Sequence, residues 1–135
     1  MLSMTSYGRE YIDDCRALID ARVAAYRGLA AAAPADAVAE FETAYFNNLV
    51  MVLELCFVHR TRGLEKKDGN PLNEVRVLTT SIMSNDGRLT VEKQIKLTPD
   101  TSVLGLREGD RIAVTEDGFV RLAKAFFADI ELKFL

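Results

Sequence analysis

One histidine and two cysteines are all the soft metal-binding chemistry in this chain of 135 residues. A tetrahedral zinc site needs four such ligands, and Cys56 with His59 makes half of one, with no second pair to complete it. No Glu-x-x-His exists to build a helical di-iron centre. The sequence also lacks a glycine-rich phosphate loop, a dinucleotide fingerprint and a nucleophile elbow around serine. P-loop, Rossmann and serine-hydrolase chemistry therefore have no motif to rest on. Cys56 sits in the most apolar part of the chain, where a thiolate is disfavoured, so a Cys–His nucleophile is not expected. Cys15 and Cys56 read as small apolar side chains on helices rather than as a disulfide. No metal and no cofactor are implied, and the balance leans away from an enzyme.

Excess positive charge is missing too. A net charge of −3 and an isoelectric point near 5.2 argue against nucleic acid as a partner, because non-specific binding depends on cations neutralising phosphates. The Lys66-Lys67-Asp68-Gly69 segment has few aromatic neighbours to stack on bases and reads as a solvated loop. No uncharged apolar run approaches the ~20 residues that a membrane span requires. The first residues lack the basic start and apolar stretch of a secretory signal. A cytoplasmic location is the expectation. Hydrophobic content of 49% with 27% charged residues is ordinary for a globular protein, and the length suits one domain over residues 1–135.

What is present is helical periodicity. Tyr11, Ile12, Cys15, Leu18, Ile19, Val23 and Tyr26 recur at spacings of three and four, predicting a helix from about Thr5 or Ser6 to Ala32. Gly8 weakens its first turn, so that the start can slip to that point, and Pro34 closes its end. A second helix is predicted over Asp36 to Arg62, amphipathic at first and then apolar from Leu49 to Val58 except for Glu54. A helix apolar all round belongs inside a domain. Gly63 supplies its stop. Asn70 is a good N-cap, Pro71 fits the first position of a third helix, and Asn85-Asp86-Gly87 ends it. Residues 102–106 and 111–114, joined by Arg107-Glu108-Gly109-Asp110, read as a β-hairpin. Thr115 then caps a last helix from Glu116 to about Phe134. The expected fold is mainly α: a four-helix, bundle-like single domain with one small β-hairpin at about 102–114.

The polar corner after the apolar helix is the candidate site. Glu54 is a carboxylate on a buried face, which costs several kcal/mol unless it is paired or protonated. It shares that face with Asn47 and lies near Arg62, so it is either half of a structural ion pair or a proton-handling carboxyl. Asn48, His59 and Arg62 fall on one stripe, and Asp68, Asn70, Asn73, Glu74 and Arg76 approach from the next segment. Such a corner either pins the 64–70 loop or binds a small anion through His59, Arg60, Arg62, Asn70, Asn73 and Arg76. Arginine donors and the free N–H groups after Asn70 suit an anion. Arg60, Arg62, Lys66, Lys67 and Arg76 also outnumber Glu65, Asp68 and Glu74.

The segments FVHRTRGLEKKDGNPLNEVRVL and TEDGFVRLAKAFFADIELKF resemble small uncharacterised bacterial proteins of actinobacterial type, to which no function is assigned. The resemblance runs from about Tyr45 onward. It implies an autonomous single-domain protein and transfers no catalytic residue. The leading expectation is a non-enzymatic helical protein acting through a contact with another protein or a second copy. The alternative is a module, or an enzyme, that takes a small phosphate-bearing metabolite at the His59–Arg76 corner.

Overall fold

The computed structural model describes residues 3–135. It is mainly helical: α1 (Arg9–Ala32), α2 (Ala35–Cys56), the single turn α3 (Arg62–Glu65), α4 (Pro71–Ser84) and α5 (Glu116–Phe134). The caps follow the local chemistry. Asn70 accepts from the Asn73 N–H with Pro71 at the first helical position, and Thr115 accepts from the Gly118 N–H, each relieving an orphan donor of the first turn. Gly8 is the N-cap of α1, so that helix starts at the point to which its weak first turn allowed it to slip, not at Thr5 or Ser6. Residues before it run alongside Arg60, with Met4 N–H donating to the His59 carbonyl at 2.8 Å and Thr61 N–H to the Met4 carbonyl at 2.9 Å.

α2 packs against α1, α4 and α5, and α4 packs against α5. The buried faces meet in one apolar cluster that includes Ile12, Phe46, Leu53, Phe57, Leu72, Phe119, Leu122 and Phe126. Phe46 meets Tyr26 edge-on at 4.7 Å between centroids and Phe119 at 5.4 Å. Phe57 meets Tyr7 edge-on at 4.9 Å. Such pairs add about 0.5–1.5 kcal/mol each beyond the area they bury.

Two expectations fail. The second helix does not reach Arg62. It ends at Cys56, with Phe57 at φ −132°, ψ 34°. The Cys56 carbonyl is taken by the Tyr11 hydroxyl, and Arg60 N–H folds back to the Phe57 carbonyl at 3.1 Å. Gly63 is inside α3 rather than a helix stop. Nor is α2 sheltered all round, since Leu55 is 69% exposed. The β-hairpin at 102–114 is absent as well, because side chains take the donors its ladder needs. Glu74 accepts from the N–H groups of Val103 (2.7 Å) and Leu104 (3.0 Å), Ser102 Oγ from Gly105, and the Asp110 carboxylate from Arg107. The segment pairs instead with residues 87–89, through one antiparallel bridge between Arg88 and Arg111.

Candidate functional site

Where α2 ends, the chain must reverse, and it does so around a buried guanidinium. The Arg60 side chain is fully buried. One Nη donates to Glu54 Oε1 (2.8 Å) and to the Leu72 carbonyl (3.1 Å), and the other to the Phe57 carbonyl (3.1 Å). Nε lies 2.9 Å from Glu65 Oε1, off line for a hydrogen bond. Phe126 lies under the guanidinium, 5.7 Å from ring centroid to its carbon. Glu65, delivered by the single turn α3, is the hub. It also accepts from Arg76 Nε (3.1 Å) and Nη2, and from Asn73 Nδ2 (2.8 Å). Arg76 Nη1 stands 3.7 Å from Glu54 Oε2. Two carboxylates thus face two guanidiniums in a closed, neutral set.

The electrostatics follow from that closure. Burial alone would raise the Glu65 carboxyl. The Arg76 hydrogen bond, the charges of Arg60 and Arg76 and the Asn73 amide outweigh it and hold the group below its ordinary value. Glu74 goes the other way: burial lifts it despite the two backbone donors of the 103–104 segment. The loop between α3 and α4 is tied to the same knot. Asn73 Oδ1 accepts from Gly69 N–H at 3.0 Å, Asn70 Nδ2 donates to the Glu65 carbonyl at 2.7 Å, and Lys133 Nζ reaches that carbonyl at 3.0 Å.

The structure therefore brings Arg60, Asn70, Asn73 and Arg76 together with Glu54, and leaves His59 and Arg62 outside. Both of those are at least partly exposed, and Arg62 stands 4.0 Å from Glu92, each side chain about half-exposed. Glu54 is paired with Arg60 and Arg76 rather than with Arg62, and Asn47 serves elsewhere, donating to the Ile112 carbonyl and accepting from Val114 N–H. Sequence reading missed Glu65 as the hub because it belongs to the single turn α3, too short for any periodicity to mark a buried face. An anion entering here would have to displace carboxylates already seated on both arginines.

Two other surfaces stand out. A groove of about 330 Å³ runs between α1 and α5, floored by Ile19, Val23, Phe119, Ala123 and Phe127 and rimmed by Arg16, Asp20, Arg27 and Lys124. Arg16 is committed to Glu131 at 2.6 Å and Arg27 to Glu116. The second is the outward face of α2, where Phe41 is 40% exposed and Leu55 69%, with Val58 41% exposed just beyond the helix. Among the described residues no group of three or more His, Cys, Asp or Glu is placed to hold a metal ion, and no helix is long and apolar enough to cross a membrane. Both cysteines are free thiols. Burial, with Cys15 beside it, pushes the Cys56 thiol up to about 12, which suppresses the thiolate. Comparison with known protein families, curated proteins and solved structures finds no match.

Proposed function

We propose that this protein is a non-enzymatic helical module that works by contact with another protein chain, through the outward face of α2. One observation carries the reading. From Thr43 to His59 the sole residue charged at neutral pH outside histidine is Glu54, and Glu54 is buried. The water-facing side of that stretch therefore presents Ala44, Asn48 and Leu55, with half-buried Tyr45, Met51 and Val52 at its flanks. Exposed helix faces normally carry charge. A charge-poor patch with large apolar side chains has the composition of an interface centre. Leu18 and Leu29, both partly exposed on α1, widen it, since the Tyr11–Cys56 and Tyr45–Arg22 hydrogen bonds seat α1 against α2 on that side.

Leu55→Glu tests this. The variant folds, by circular dichroism, because the side chain is mostly in water. Light scattering after size exclusion and capture from bacterial lysate are then compared with wild type. Loss of association in the variant is the expected result; a wild type that is monomeric and captures nothing overturns the reading.

A second reading, a small anionic ligand, draws on the α1–α5 groove rather than on the closed corner. Its volume falls at the small end of the range typical of ligand pockets, roughly 300–1,000 Å³. Lys124 on its rim has no ionic partner among the described residues. A bound ligand at a hundredfold excess over its Kd stabilises by about 2.7 kcal/mol. A panel of phosphate-bearing and aliphatic carboxylate compounds that leaves the melting temperature unchanged removes it.

A further inference from the structure

We propose that the turns at 66–67 and 93–96 form a preorganised cationic surface that docks a short acidic segment of a partner protein. It is a different surface from the α2 face, and Leu55→Glu leaves it intact.

Two separate segments of the chain assemble it. Lys96 N–H donates to the Lys67 carbonyl at 3.0 Å, and Gly69 lies against the Lys96 and Leu97 backbone. Lys66, Lys67, Lys93 and Lys96 are all exposed, and none has an ionic partner among the described residues. The acids of the two turns are engaged: Asp68 accepts from Asn70 Nδ2 at 2.7 Å, and Glu92 faces Arg62. With Arg62 counted beside the lysines, five cations against two acids leave +3 here. The whole chain is −3, so everything else sums to −6.

Strain marks the same place. Lys66 has φ 69° and ψ −176°, a combination that belongs almost entirely to glycine and costs any residue with a Cβ. Asp86, the other non-glycine residue at positive φ, is at 54° and is of a type that tolerates it. The fold uses only the backbone of Lys66. Its N–H donates to the Arg62 carbonyl at 3.0 Å, and its carbonyl accepts from Asn73 Nδ2 at 2.9 Å. Glycine would make the same bonds without strain, so the lysine side chain has its purpose outside. Those bonds and the Glu65 knot beneath them fix the turn, so little ordering remains to oppose binding. The knot thus closes its interior to anions while presenting cations on its outer side.

Charge and composition select the occupant. A single exposed ion pair is worth little, so binding needs several carboxylates at once. From Val58 to Gly118 there is no Phe, Tyr or Trp. These turns therefore offer no platform for stacked bases and no ring to seat in a bilayer interface. A long polyanion would run off the patch onto a surface that is net acidic. A few successive Asp or Glu residues, at about 3.3 Å each, are short enough to stay on it. Opposite charges of this kind speed and orient a protein encounter.

Fluorescence polarisation with a labelled Asp/Glu hexapeptide is the test. Wild type is expected to bind it, more weakly as salt rises, and not to bind the matching Asn/Gln peptide. Replacing Lys66, Lys67, Lys93 and Lys96 together by Gln is expected to weaken binding at least about tenfold. Lys124→Gln, which removes an unpaired lysine elsewhere, is expected to change nothing. Lys66→Gly separates display from architecture: relieved of strain, it is expected to melt higher yet bind about two- to fivefold more weakly. No binding by wild type, or equal binding by the quadruple variant, overturns the inference. So does a Lys66→Gly protein that melts lower or binds as well as wild type. Single-stranded DNA or phosphatidylserine vesicles held more tightly than the peptide, through the same lysines, overturn it in favour of a nucleic-acid or membrane contact.

Discussion

Arg60 and His59 are neighbours in sequence with opposite fates, and the difference is desolvation. A guanidinium without exposed surface persists in the interior only because Glu54, Glu65 and two carbonyls replace its water. Removing one partner of a buried ion pair costs about 3–5 kcal/mol, because the remaining charges stay buried and unpaired. Arg60→Met is therefore expected to lower unfolding free energy by that amount in urea titration, while His59→Ala stays within about 0.5 kcal/mol, as exposed sites do. Glu65 adds a pH signature. Its folded value is depressed from 4.5, so its contribution is fully present above that value and disappears as pH falls through the lower, folded one. At pH 7, Glu65→Gln is expected to be about 3 kcal/mol less stable than wild type. The gap narrows below pH 4.5, because wild type loses the carboxylate and the variant has none to lose. Urea midpoints measured from pH 7 down to 3 show this directly.

At the level of elements, what the sequence made legible was whatever local chemistry decides. Asn70-Pro71 and Thr115 marked two helix starts because capping is settled within four residues. The stripe from Phe119 to Ile130 marked α5 because periodicity is a property of the helix itself. The end of α2 was not legible. It depends on Tyr11, 45 residues away, taking the Cys56 carbonyl, and on Arg60 being drawn inward by a carboxylate in the next turn. The hairpin was misread for a related reason: its alternation is real, but Glu74, 29 residues earlier, outcompetes the ladder for the Val103 N–H. Four of the six proposed corner residues do converge, while their neutralisation by Glu65 was invisible because a carboxylate in a four-residue helix has no face to read. Gly69 shows how tightly that loop is set. Its φ is +85° and an added Cβ would lie 2.3 Å from the Lys96 carbonyl oxygen. Gly69→Ala is expected to cost at least about 2 kcal/mol, from positive-φ strain together with the steric clash. Thermal melts beside Gly63→Ala, which meets nothing closer than 3.8 Å, provide the control.

Across the whole molecule, burial is lopsided. No residue from Arg27 to Tyr45 is buried, so the turn joining α1 and α2 projects from the core with little holding it but its own helices. A segment opens most readily where it has little apolar surface to expose. Amides of Gly28–Glu40 are expected to exchange hydrogen at far lower free energy than those of Leu49–Leu53 or Phe119–Phe127, as native-state exchange with mass spectrometry or NMR can map. At the opposite pole, three distant parts of the chain meet. The Thr61 hydroxyl reaches the Met4 carbonyl across 57 positions, Lys133 reaches the Glu65 carbonyl across 68, and Arg9 reaches Glu131 across 122, while Tyr7 N–H donates to the Phe134 carbonyl. Helical proteins usually refold within microseconds to milliseconds because residues that touch are near in sequence. Here the closing of those remote contacts is expected to set the rate, so that stopped-flow refolding of this protein runs behind the pace at which its helices grow.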